Sequence, residues 1–343
     1  MKKLVILILA LCLIVPPAAM SAGEKGFKVA VSNSFITHSW RTQMVNNLQK
    51  RIALYEGKGW ISDFQIQHAG PDVDLQRSHI QNFIDSEVDI LIIDPVSLTA
   101  LNPVIEDAVD AGIVTVISDE PVTTKAPYVV LPTHDVWMEK LAKYVFDRMG
   151  GKGNVVYLSG IDGAPASDMR DQGFERALKQ YPNVKLLAKV FGSWDPALAQ
   201  QAMADALAAY PKIDGVVAHD GQCLSVIRAF EAAGRPQTIV NGSGFRPFFE
   251  YWIKNLPNGF TSYAIANGPG NAITMALGVG VRLKMGKKIK PGVWDGLVLR
   301  VDHANVITND NVQKTLEEHI RYRGVEDYID EVRSEAFIDS LFQ

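Results

Sequence analysis

The chain has 343 residues, 47% of them hydrophobic, with 38 acidic and 34 basic side chains and a formal charge of −4. Both signs are dispersed and no basic stripe appears, which argues against a nucleic-acid partner. With only Cys12 and Cys223, a disulfide framework is excluded and ordinary cores must hold the fold.

Met1-Lys2-Lys3 precedes an apolar run over 4–15, then Pro16-Pro17 and small residues up to Ala22. That order predicts a secretory signal, and the run is too short to span a bilayer comfortably. Cleavage is expected near Ala22, placing the protein in the periplasm. Cys12 follows Leu11, which is not the small residue a lipoprotein signal requires, so it reads as filler. Loss of Lys2 and Lys3 takes the charge from −4 to −6. About 320 residues remain, enough for two domains. They contain no second long apolar run.

Short apolar runs then alternate with amphipathic stretches. Strand 27–32 leads to helix 40–55, strand 63–68 to helix 75–88, and strand 90–93 to helix 102–111, stopped by Gly112. The run over 90–93 is apolar throughout, as a strand covered on both faces should be. Strand 114–117 follows. The alternation restarts near Asp135, with helix 137–149, strand 154–158, helix 166–181, strand 184–190 and helix 196–210. Strand 215–218, helix 222–233, strand 238–241, helix 247–255, strand 261–265 and helix 271–285 complete it. Such alternation specifies parallel sheets with helices on both faces. Roughly ten strands fit two sheets better than one. Stretches 309–323 and 328–342 read as amphipathic surface helices.

Ligands of open parallel sheets bind beyond the carboxyl ends of the strands. The loops there hold Trp40 beside Arg41, Trp194 beside Asp195, and the acids Asp119, Asp168 and Asp220. Aromatic rings suit the C–H face of a sugar, and charged groups suit its hydroxyl rim. Each residue also has a plainer role. Trp40 could anchor a core, Asp119 and Asp220 could cap helices or turns, and Arg170 could pair with a helix acid. His38, His134 and His219 fall in the same loops, but their spacing carries no metal motif, and no metal or cofactor is expected. There is no G-x-G-x-x-G after the first strand, no P-loop and no G-x-S-x-G, so an enzyme is not expected.

The ordered set VDILIIDPVSLTALNPVIEDAVDAGIVTVISDEPV (88–122), GKGNVVYLSG (151–160), R-x-x-G-F (170–174) and WDPALAQQAMADALAAYPKIDGVVAHD (194–220) resembles the ribose-type, type I periplasmic sugar-binding proteins of ABC transporters. The resemblance covers nearly all of the mature chain. It implies two Rossmann-like doubly wound parallel-sheet lobes joined by a three-crossing hinge. The lobes would be 27–132 with 267–298, and 133–266 with 299–308, with a tail over 309–343 packed outside. It implies ligand contacts from His38, Trp40, Arg41, Asp119, Thr133, Trp194, Asp220 and Asn267. Many relatives carry an arginine where Asp168 stands, so either Asp168 or Arg170 would serve. Ser243 stands in the loop Gly242-Ser243-Gly244, where many relatives carry an aspartate. The implied partners are a sugar or polyol and a membrane permease, with a chemoreceptor as the alternative, and the implied state is a monomer. An N-terminal DNA-binding headpiece, which a sugar-responsive repressor would need, has no place beside the export signal.

Overall fold

A computed structural model describes residues 26–36, 38–324, 326–330 and 332–343. The expected signal segment, with Cys12 and the cleavage point, lies outside them. In the first half, β1 (Phe27–Asn33), α1 (Ser39–Gly57), β2 (Ile61–His68), α2 (Val73–Asp85), β3 (Ile90–Asp94), α3 (Asn102–Asp110), β4 (Val114–Ser118) and β5 (Tyr128–Pro132) alternate. Next come α4 (His134–Arg148), β6 (Lys152–Ser159), α5 (Pro165–Lys179), β7 (Asn183–Phe191), α6 (Pro196–Ala209), β8 (Gly215–Ala218), α7 (Cys223–Ala232), β9 (Ile239–Val240), α8 (Arg246–Asn255) and β10 (Ala264–Ile265). The chain ends with α9 (Gly270–Lys284), β11 (Val298–Val301), β12 (Val306–Ile307), α10 (Val312–Arg323) and α11 (Glu335–Asp339).

Two parallel sheets result. The first has the order β11-β5-β4-β3-β1-β2 and the second β7-β6-β8-β9. Strand periodicity divides each sheet's residues between two cores. Val29, Val31, Ile90 and Ile92 pack with α1 and α9, while Ala30, Leu91 and Ile93 face α2 and α3. In the second sheet Val156, Leu158, Val216 and Ala218 meet α6, α7 and α8, and Val155, Tyr157 and Val217 meet α4 and α5. Full burial of each such aliphatic side chain contributes about 1.5–3 kcal/mol. Among the described residues no helix is long and apolar enough to cross a membrane.

The sheets correct several expectations. β5 was not expected, yet it pairs with β4 and leads into the first crossing at Thr133. β11 pairs in parallel with β5, Val298 opposite Val129 through Val301 opposite Pro132. The expected change of lobe at 298/299 therefore falls after Val301, because β11 is the edge strand of the first sheet. β10 does not extend the second sheet as a parallel strand. It pairs antiparallel with β12 and meets the second sheet's edge through one isolated parallel bridge, Gly242–Ala264. The three crossings are Thr133, residues 266–269 and residues 302–305.

The tail is not confined to the outside. Val312 and Leu316 of α10 are buried in the second half's core, while Ile338 and Leu341 are buried in the first half's core. Of the expected helix 328–342 only α11 is formed.

Candidate functional site

The carboxyl ends of β1, β3 and β4 face those of β6 and β8 across the crossings. Between them lies a narrow cavity. Seven of the eleven expected residues line it: His38, Trp40, Arg41, Asp119, Arg170, Trp194 and Asp220, joined by Ala166 and Tyr328.

On the first side, α1 starts beside the end of β1 and points Arg41 inward, where it is 4% exposed. Its Nη1 donates to Asp94 Oδ2 at 2.6 Å and lies 3.3 Å from Asp119 Oδ2, and its Nη2 donates to Glu120 Oε1 at 3.3 Å. Ser34 Oγ also donates to Asp94, at 2.8 Å. Asp119 turns out of β4 with φ +66°, a left-handed conformation that Asp tolerates better than most side chains. Asp94, Asp119 and Glu120 have the mutual spacing of metal ligands, but the Arg41 guanidinium already supplies a cation among them.

On the second side, Arg170 Nη1 donates to Asp220 Oδ1 at 2.8 Å, and the guanidinium lies 5.1 Å from the Trp137 ring and 5.5 Å from the Trp194 ring. Its Nη2 approaches His134 Nδ1 at 3.3 Å. Arginine only donates, so Nδ1 accepts and Nε2 carries the proton that it gives to the Asp119 carbonyl at 3.1 Å. His134 thus joins the two sides. The same reasoning fixes His219. Trp194 Nε1 donates to His219 Nδ1 at 3.2 Å, so Nε2–H points at the Tyr157 oxygen, 2.7 Å away. Trp194 and its neighbour Ser193 have φ of +54° and +52°. A Cβ on Gly160 would lie 2.3 Å from the Trp194 indole, so Gly160 makes room for the ring.

The second crossing closes the arrangement. Asn267 Nδ2 donates to Asp220 Oδ2 at 2.6 Å, and its carbonyl accepts from Trp40 Nε1 at 2.8 Å. Asn267 stands behind the lining residues and sets both of them. Thr133 does not line the cavity. Its hydroxyl donates to Asp302 Oδ1 at 3.0 Å, tying the first crossing to the third. Ser243 is also behind the wall, its Oγ accepting from the Gly221 amide at 3.3 Å. Of the two alternatives Asp168 and Arg170, only Arg170 lines the cavity. Asp168 is exposed at the start of α5. Sequence reasoning missed Glu120 and Tyr328 altogether. Glu120 was legible only as one of two adjacent acids after β4.

The electrostatics follow from burial. Burial, reinforced by Arg41, lowers the His38 pKa to about 4. Burial and Arg170 also lower His134 and His219, so all three imidazoles are neutral near pH 7. Burial raises Asp94 to about 6 against the pull of Arg41. Burial and the nearby Asp94 charge raise Glu120 to about 8. Asp119 is also desolvated, but the hydrogen bond from His134 and the charge of Arg41 outweigh this and hold it below the usual range. One acid of the group is thus firmly ionised while another is protonated at neutral pH. Such divergence between neighbouring carboxyls is concentrated at functional sites.

Two parallel-sheet lobes, three crossings and a charged, aromatic-lined cleft between them define a two-lobed binding protein. The chain matches the periplasmic binding protein domain family over residues 29–288 and belongs to it. Its role is that of a periplasmic solute-binding protein. It is 28% identical over 261 residues to a xylitol-binding protein of Mycolicibacterium smegmatis, covering 74% of this chain and 71% of that one. It is 25% identical over 257 residues to a ribose import binding protein of Bacillus subtilis, covering 71% and 82%. An ABC transporter solute-binding protein from Thermobispora bispora superposes with a TM-score of 0.80 at 25% identity, covering 92% of this chain and 94% of that one. A solute-binding protein from Bacillus halodurans with bound myo-inositol shares the fold, with a TM-score of 0.74 at 21% identity and coverage of 86% and 99%.

Proposed function

We propose that the cleft binds a monosaccharide or sugar alcohol and that the closed, loaded protein delivers it to the membrane permease of an ABC importer, without chemical turnover. The observation that carries this reading is a pair of buried polar atoms on cavity-lining residues. Arg170 Nε has no hydrogen-bond partner and Asp119 Oδ1 has only His134 Nε2 at 3.3 Å, although Asp119 is 3% and Arg170 4% exposed. Leaving such atoms unmade costs about 1–3 kcal/mol each, more when charged. A ligand that both donates and accepts, as a hydroxyl does, satisfies them together. Trp40 and Trp194 supply apolar ring surface from opposite sides of the cleft. The names of the relatives, xylitol-binding and ribose import binding, point the same way.

The ligand shifts the protein toward the closed state only by as much as it favours that state over the open one. The test is a panel of pentoses, hexoses, polyols, amino acids and nucleosides against purified mature protein, read by tryptophan fluorescence and melting temperature. A polyol should move both. A panel in which amino acids or nucleosides bind and no polyol does would reject the reading. Export with cleavage near Ala22 belongs to the same proposal, and the mass of the protein recovered from the periplasm checks it.

A further inference from the structure

Residues 326–330 cross the mouth of the cleft, and they lie beyond residues 29–288, the stretch that matches the family. They are held on both sides. From the second half, the Arg246 amide donates to the Asp327 carbonyl at 2.7 Å, and the Ile329 amide donates to Gly244 at 2.9 Å. From the first half, Gln43 makes two hydrogen bonds to the Tyr328 backbone, at 2.8 and 3.0 Å, and Asn47 donates to Asp330 at 2.6 Å. The lobes are shaped for this segment. A Cβ on Gly221 would lie 2.6 Å from the Tyr328 hydroxyl, and one on Gly270 would lie 2.4 Å from Val332.

Tyr328 occupies a particular place. It lines the narrow inner cavity and also a wider outer one, which opens among Ser39, Pro196 and Phe245. Among the described residues, only His38, Trp194 and Tyr328 border both. His38 and Trp194 meet edge to face with centroids 6.4 Å apart, and the Tyr328 ring packs on Phe245 at 5.2 Å.

We infer that Tyr328, carried by this C-terminal strap, is the size-limiting residue of the cleft: it walls the inner cavity off from the outer one and restricts the site to a single sugar or polyol unit. The inference rests on the polyol reading of the cavity. With the ring removed the two cavities merge, and a substituent on the bound unit gains a place to extend.

The experiment compares the wild-type full chain with Tyr328→Ala against xylitol, ribose and myo-inositol and the O-glucoside of each, by calorimetry. The wild type should prefer its best single-unit probe over the matching glucoside by at least about tenfold, the scale on which pocket size discriminates. Tyr328→Ala should weaken the single unit and lose most of that preference. A wild type indifferent to the glucosyl group, or a variant that keeps both affinity and preference, overturns the inference. If Tyr328→Ala does not fold, Tyr328→Leu, which retains apolar packing against Phe245, must show the same loss of preference. If no single-unit probe binds the wild type, the polyol reading fails, and acrylamide quenching then decides the wall alone. Opening the inner cavity should raise the quenching of Trp40 and Trp194 in Tyr328→Ala, and unchanged quenching overturns it.

Discussion

Glu120→Gln tests the charge arrangement behind Arg41 without requiring a ligand. Glu120 is 1% exposed, and burial beside Asp94 raises its pKa to about 8 from an ordinary 4.5. A carboxyl raised in the folded state favours folding fully at pH below its unfolded value, and that contribution is lost as pH rises through the folded value. In the folded protein Glu120 keeps its proton between about pH 4.5 and 8 while the unfolded chain has released it. Integrated from pH 5 to 8.5, the difference between those two pKa values is worth about 4 kcal/mol. Glutamine keeps the shape and can still hydrogen-bond, but it does not titrate. The stability of Glu120→Gln relative to wild type should therefore rise by several kcal/mol between pH 5 and 8.5, measured by urea denaturation at each pH. Subtracting the two proteins cancels the titration of groups that do not interact with Glu120. A difference that stays flat within about 1 kcal/mol would show that Glu120 is ionised in the fold and refute the reasoning.

Arg41→Met removes the cation shared by Asp94, Asp119 and Glu120, and breaking buried pairs in this way costs about 3–5 kcal/mol; the loss should be smaller at pH 5 than at pH 8 in denaturant melts. Asp119→Ala should abolish binding of the panel ligand and leave the circular dichroism spectrum unchanged, and retained affinity would remove Asp119 from the site. Gly160→Ala places a methyl 2.3 Å from the Trp194 indole, so the ring must move and affinity should fall with the fold intact. Asp168→Ala, at an exposed position off the cavity, should bind the same ligand within about twofold of wild type by calorimetry.

The alternation of strands and helices was legible because each element's apolar period is distinct, and the site loops followed from the rule that ligands sit at strand carboxyl ends. The errors have local causes. The strand at Tyr128–Pro132 is a five-residue run ending in proline after an irregular stretch, and short runs of that kind do not separate from loop by pattern. β11 has alternating burial at Val298–Val301, but its partner β5 lies some 170 residues away, so nothing local marks its lobe. The choice between Asp168 and Arg170 was decidable in principle. Two residues apart on a helix point about 200° from each other, so only one could face the cleft. Tyr328 was out of reach. Its segment is held by hydrogen bonds from both lobes to its backbone, and those partners, Gln43 and Gly244, are far away in sequence.

The partners already present inside the cleft determine what a ligand can gain there. Asp220 has one oxygen on Arg170 and the other on Asn267, and Arg41 is shared by three carboxyls. A ligand that displaced any of these bonds would gain only the difference between the new bond and the old one, and typical hydrogen bonds differ little in net value. Binding energy therefore has to come from the groups left over: Asp119 Oδ1, held only by His134 at 3.3 Å, the orphan Arg170 Nε, and the Trp40 and Trp194 ring surfaces. These sit on opposite lobes, Asp119 and Trp40 with the first sheet, Arg170 and Trp194 with the second. A ligand touching only one lobe satisfies half of them. The full gain is available only when the lobes are shut, and that is the differential affinity for the closed state that closure requires. The internal ion pairs hold the geometry of each wall, while these remaining atoms and the rings make occupancy and closure one event.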